Sequence, residues 1–171
     1  SVVNASHVTL QVEKTIGDFT DSSADHNLTV NADAANVLAG DHILVGSLSL
    51  KNGSLVQAGK DIVISGAADS NLSGQGMVDA GQTLTLKSAY NGVEDDDLLL
   101  TGKKLDAKAA INSTKGTLAI VTDELITGGD TTLVDDTLVA DNVELGGALN
   151  ASGESLVVVQ NFGSFAPDGG F

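Results

Sequence analysis

Cysteine, arginine and tryptophan are absent from this 171-residue chain, and proline occurs once, as Pro167. Without cysteine there is no disulfide, no thiolate metal ligand and no thiol nucleophile. Without arginine, eight lysines face 23 acidic residues, and the formal charge is −15. Phosphate backbones and anionic bilayers both call for clustered positive charge, so nucleic-acid and membrane-surface partners are not expected. Aromatic residues make up only 3 % of the chain, so any core is built from Val, Leu, Ile and Ala. Aliphatic runs are short, as in Leu98–Leu100 and Val157–Val159, far below the roughly 18 residues of a membrane-spanning helix.

The chemistry of a catalytic centre is equally thin. His7, His26 and His42 form no metal-spaced pair, and no Gly-x-Ser-x-Gly elbow occurs. Carbohydrate-active enzymes pair carboxylates with cationic and aromatic residues that grip sugar. Here the carboxylates are plentiful, but Tyr90 is the sole tyrosine. No enzymatic activity is expected, with a carbohydrate-active enzyme as the remaining catalytic alternative. Among the acidic clusters, Glu94–Asp97 is the densest, and Asp95, Asp96 and Asp97 are the candidate ligands for Ca²⁺, the one ion considered. No calcium-binding loop pattern accompanies them, and otherwise no cofactor is expected.

What the chain does have is alternation and repetition. "HVTLQVEKTI" puts Val8, Leu10 and Val12 on one face by period-two alternation, and "DIVIS", "QTLTLK", "GTLAIV" and "SLVVVQNF" follow the same rule. Only Lys103–Ser113 offers a helical pattern, and its two large apolar anchors favour an irregular or extended segment. A small residue followed by glycine recurs at Gly40, Gly59, Gly81, Gly102, Gly128 and, more loosely, Gly153, with spacings of 19, 22, 21, 26 and 25. A period of 20–25 residues predicts stacked coils, with glycine at the corners. The predicted fold is an all-β parallel solenoid in one domain. Residues 1–30 would be an N-terminal strand, arm or cap, 31–160 the repeats, and 161–171 an apolar C-terminal tail. A β-sandwich or jelly roll is the alternative.

The stretch "AGKDIVISGAADSNLSGQGMVDAGQTLTLKSAYNG" resembles the repeats of filamentous haemagglutinin-type proteins, and residues 115–160 share the pattern more loosely. The resemblance implies a parallel β-helix, a secreted surface location, and cell-surface or host carbohydrate among the partners. The Asn-Pro motifs of that family's secretion domain are missing here.

Asn-x-Ser/Thr occurs at Asn4, Asn27, Asn52, Asn71, Asn112 and Asn150, six of the eleven asparagines. These are the candidate N-glycosylation sites, although the same residue types also populate β-turns. The chain begins at Ser1 without methionine or a basic–apolar leader, as a processed exported chain would; an extracellular, cell-surface location is expected. Three of the four phenylalanines, Phe162, Phe165 and Phe171, fall in the last ten residues. With Val8, Leu10 and Val12 they are the candidate self-assembly residues. The expected partner is another copy of the chain, in a filament or sheath, with a fragment of a haemagglutinin-like adhesin as the alternative.

Overall fold

The computed structural model describes residues 1–17, 27–66 and 71–164. Among them every strand pairing is parallel. That excludes an antiparallel sandwich. The chain is a β-solenoid of about seven turns, the seven steps that separate eight stacked coils.

The first coil holds β1 (Val2–Ser6), β2 (Thr9–Val12) and β3 (Thr15–Ile16), and the second β4 (Thr29–Asp33), β5 (Asn36–Ala39) and β6 (His42–Val45). The third runs through the long bent β7 (Ser47–Ala58) and β8 (Ile62–Ile64), and the fourth through β9 (Leu72–Ala80) and β10 (Thr83–Leu86). The fifth to eighth coils each join a short strand to a long one. These pairs are β11 (Tyr90–Asn91) with β12 (Asp97–Ala107), β13 (Ile111–Ser113) with β14 (Thr117–Thr127), β15 (Thr131–Val134) with β16 (Thr137–Leu145), and β17 (Leu149–Ser152) with β18 (Leu156–Ser164). Each coil therefore visits a first, a second and a third side in order. Val2–Ser6 pairs with Thr29–Asp33, so the stack begins before the expected repeat boundary at residue 31. Lys103–Ser113 is not helical: it runs from the end of β12 through a bend at residues 108–110 into β13.

The register follows one inward row of the second side: Leu10, Val37, Val56, Val78, Leu100, Ile120, Leu138 and Val157. The steps are 27, 19, 22, 22, 20, 18 and 19 residues, and the long first step contains residues 18–26, which lie outside the described ones. At about 4.8 Å per strand the stack is roughly 34 Å tall. The interior is a column of aliphatic side chains, with Val30, Leu48, Leu84, Leu118, Ile120 and Leu125 among those fully buried. Beside the large inward row runs a small one, Val12, Ala39, Ala58, Ala80, Gly102, Thr122, Ala140 and Val159. It leaves room at the corner where the second side meets the third.

The recurrent small–Gly pairs resolve into different corners. Gly40, Gly59 and Gly81 stack at the second corner. There a Cβ on Gly59 would collide with the Gly40 carbonyl, and one on Gly81 with the Gly59 carbonyl. Gly102 instead takes the small inward position one residue earlier, and Gly128 packs against Lys108 beyond the third side. Gly153 follows β17 on the first side. The spacings of 26 and 25 thus measure between unlike corners, while the true repeat stays at 18–22 after the first coil.

The second corner also changes class halfway along the stack. From the small inward residue to the first inward residue of the third side takes four positions in coils one to four, as in Ala80 to Leu84. In coils five to eight it takes three, as in Gly102 to Leu105. The shorter corner needs no separate turn, which is why β12, β14, β16 and β18 run through it unbroken.

Replacing Gly59 by alanine is expected to lower stability by about 2–4 kcal/mol, because backbone rather than a movable side chain blocks the methyl group. Gly53→Ala, where nothing lies within 4 Å of the added carbon, should cost about 1 kcal/mol, from its positive φ alone. Urea midpoints of the two variants measure the difference.

Candidate functional site

The three sides carry three chemistries. On the first side the outward residues are small and polar. Asn31 donates through Nδ2 to Asn4 Oδ1 at 2.9 Å, and Asn112 to Asn91 Oδ1 at 2.9 Å. The third side mixes charges: His42 and Asp61 lie 3.5 Å apart, Lys60 and Asp41 3.6 Å, and Lys108 and Asp106 2.7 Å. The second side carries an apolar band on part of its outer face, beside polar residues such as Gln57, Asp79 and Thr101. Leu55, Met77, Leu99 and Ala119 stack outward on successive coils and floor a shallow groove with Gly53 and Asp97 at its rim. Val121, Val139 and Val158 continue the apolar band in the neighbouring outward row, with Val158 50 % exposed.

All six sequons lie on the first side or its flanks. Asn4 is in β1, Asn27 precedes β4, Asn52 is at the turn inside β7, Asn71 precedes β9, Asn112 is in β13 and Asn150 in β17. Asn4, Asn27, Asn52 and Asn150 are exposed. Asn71 and Asn112 are half-buried, with Asn71 Nδ2 donating to the Gly66 carbonyl at 2.7 Å.

The carboxylates of Asp95, Asp96 and Asp97 do not converge. Asp95 and Asp97 are exposed, whereas Asp96 is turned inward and only 4 % exposed. Its carboxylate accepts from Gly74 N at 2.8 Å, Val93 N at 3.1 Å and the Tyr90 hydroxyl at 2.8 Å. Among the described residues no group of three or more acidic or histidine side chains is placed to hold one metal ion.

Asp96 belongs to a series at the first corner that the sequence reading missed. Ser54 Oγ accepts from Ala35 N at 3.1 Å and donates to Lys51 O at 2.7 Å. Ser155 repeats this with Asp136 N at 3.2 Å and Ser152 O at 2.7 Å. Asp136 accepts from Leu118 N at 2.7 Å and Val134 N at 3.1 Å. In each case a short polar side chain satisfies a backbone N–H of the coil below, and Asp96 and Asp136 take a second from their own coil, where the turn interrupts the ladder. The available signal was positional: Asp96, Asp136 and Ser155 each stand one residue before a long strand. Burial pushes the Tyr90 hydroxyl far above its ordinary value of 10.0, and the hydrogen bond and negative charge of Asp96, with the charge of Asp136, push it further.

The ends of the stack are the remaining candidates. Among the described residues β18 pairs with β16 alone, and β1, β2 and β3 each pair on one edge only. In the last coil Phe162 takes the inward position stacked on Val143 yet is 49 % exposed, and Val157 and Val159 are only partly buried. In the first coil Leu10 and Val12 point inward and are half-buried. Val8 does not share their face: the chain turns at His7, with φ 54°, and Val8 is exposed ahead of β2. Phe165 and Phe171 lie outside the described residues. Among the described residues no helix is long and apolar enough to cross a membrane.

Comparison with protein-family models, curated protein sequences and solved structures finds no match to this chain. The parallel solenoid is the fold that the haemagglutinin-type repeat pattern implied.

A buried tyrosine held neutral makes stability sensitive to alkali. The folded pKa lies above the unfolded one, so the contribution is complete below pH 10 and is lost as pH rises beyond it. Urea midpoints from about pH 8 to about pH 12 should fall steeply above pH 10, and Tyr90→Phe should flatten that fall.

Proposed function

We propose that this chain is an extracellular structural subunit that forms a cell-surface filament or sheath by stacking its own copies end to end. The observation that carries the reading is the match between the two open ends. The last coil offers unpaired backbone and the inward residues Leu149, Val157, Val159 and Phe162; the first offers Val3, Leu10, Val12 and Ile16. Unpaired strand edges over an apolar interior are templates for another chain. Head-to-tail contact of unlike ends is heterologous and open, so it propagates. The corner lengths are compatible too. Val159 to Phe162 takes three positions and Val12 to Ile16 four, a one-residue difference of the size, though of the opposite sense, that the stack absorbs between its fourth and fifth coils.

The sides divide the remaining work. Glycans on the exposed first-side asparagines would project sideways from the stack, with those on Asn4 and Asn150 flanking each junction from the two end coils. The outward band of Leu55, Met77, Leu99, Val121 and Val158 gives neighbouring filaments an apolar surface on which to pack as a sheath. A second reading, a segment of a haemagglutinin-like adhesin, is favoured by the fold together with the stacked Ala–Gly corners. In that case further coils of a longer chain would occupy the same edges.

The purified chain should give elongated particles by electron microscopy and a scattering mass that grows with concentration. Phe162→Asp should keep the β-type circular dichroism while raising the concentration for half-assembly by about tenfold or more, equivalent to about 1.4 kcal/mol per junction. A chain that stays monomeric at high concentration overturns the reading. Intact mass of the chain from its native source should exceed the bare polypeptide, with glycopeptides at Asn4 and Asn150 ahead of Asn71 and Asn112.

A further inference from the structure

The sequence contains two Asn-Gly pairs, Asn52–Gly53 and Asn91–Gly92, and the fold treats them oppositely. Asn91 ends β11, in which Tyr90 and Asn91 pair in register with Ile111 and Asn112, and Gly92 follows directly. Gly92 N donates to the Asn112 carbonyl at 2.8 Å, and Asn91 Oδ1 accepts from Asn112 Nδ2 at 2.9 Å. Both the backbone nitrogen and the side-chain amide are therefore engaged. Asn52–Gly53 lies where coil three carries extra chain. Asp33 pairs with Lys51 and Asn36 with Leu55, so two residues of coil two face three of coil three. On the other edge the register shifts between Leu50 and Ser54. The surplus bulges outward, with φ of 53° at Asn52 and 71° at Gly53, both residues exposed and Gly53 outside the ladder register. A Cβ built on Gly53 would meet nothing within 4 Å.

We propose that Asn52 is a self-modification site, at which the chain converts its own asparagine without an enzyme. The Gly53 amide nitrogen attacks Asn52 Cγ. The new N–Cγ bond forms, the Cγ–Nδ2 bond breaks, and Nδ2 leaves as ammonia with the proton from the attacking amide. Water then opens the cyclic imide at either carbonyl, leaving aspartate or its β-linked isomer, with no change of oxidation state. Glycine is the residue whose missing side chain leaves this attack unhindered. The turn must open for attack, and an exposed bulge off the ladder opens more readily than a paired strand.

The consequence is local and electrostatic. Asn52 Nδ2 donates to Asp33 Oδ1 at 2.7 Å. Conversion replaces that donor with a second carboxylate, turning an attraction into a repulsion on a chain already at −15. It also removes the sequon. A glycan on the same Nδ2 would block the reaction, so the two fates exclude each other.

The test uses the full chain made in a host without N-glycosylation, held folded in mildly alkaline buffer and followed by peptide mapping. Each conversion adds about one dalton. Side-chain amides are hydrogen-bonded at both sites, but the attacking nitrogen is held at only one: Asn52 should convert roughly thirtyfold faster than Asn91, where the Gly92 N–H must first leave the Asn112 carbonyl. In the urea-unfolded chain the two rates should converge to within about threefold. The proposal is overturned by folded-state conversion at Asn91 as fast as at Asn52, or by an Asn52 that stays intact while the unfolded chain converts. It is equally overturned by rates that remain as far apart in urea, which would place the cause in the flanking sequence.

Discussion

A coil of this solenoid has no hydrogen-bonding partner except the coil below it and the coil above it. That constraint orders everything else. Parallel ladders at about 4.8 Å force each side chain to sit on the one in register beneath it, so each position along the coil becomes a column of like residues. The small inward column from Val12 to Val159, the aliphatic column beside it and the asparagine pairs outside are all products of that rule. The shortage of aromatic residues follows too, because a ring in one coil needs room that its neighbours, held at strand spacing, do not leave. Among the described residues Tyr90 is the buried exception, where β11 begins the fifth coil, with its hydroxyl on Asp96, while the other inward ring, Phe162, lies in the last coil.

The same constraint concentrates polar expense at corners. A turn takes backbone N–H groups out of the ladder, and a buried unpaired donor is costly. The first corner answers with Ser54, Asp96, Asp136 and Ser155 folded inward over the coil below. The second answers with glycines that let carbonyl and backbone approach. Acidic residues therefore do two unlike jobs here. Asp96 and Asp136 are interior caps, while neighbours such as Asp95 and Asp97 face solvent.

The strands and the stacking were legible in the sequence because period-two alternation and a recurring glycine are local signals. Gly40, Gly59 and Gly81 could be read as one corner because their spacings equal the coil length. Gly128 and Gly153 could not, since a small–Gly pair looks the same at any corner. The inward turn of Asp96 was hidden for a similar reason: within Glu94–Asp97 nothing in composition distinguishes a capping carboxylate from a solvated one. The apolar outer band was half-visible. Three consecutive leucines, Leu98–Leu100, already say that both faces of that strand are apolar. Val8 was misplaced because a turn at His7 resets the alternation, and alternation carries no mark of where it restarts.

The change from a four-residue to a three-residue second corner divides the stack into two blocks of four coils each. Within a block each second corner rests on one of its own length; between the blocks it does not. A gene encoding such a stack could lose or duplicate a coil inside either block and leave the remaining second corners matched to their neighbours. A duplication that spans the boundary would add a second kind of mismatched joint, with a three-residue corner followed by a four-residue one. Length in this protein is thus free to vary in whole coils, and the fourth-to-fifth junction is the landmark that fixes where each block begins.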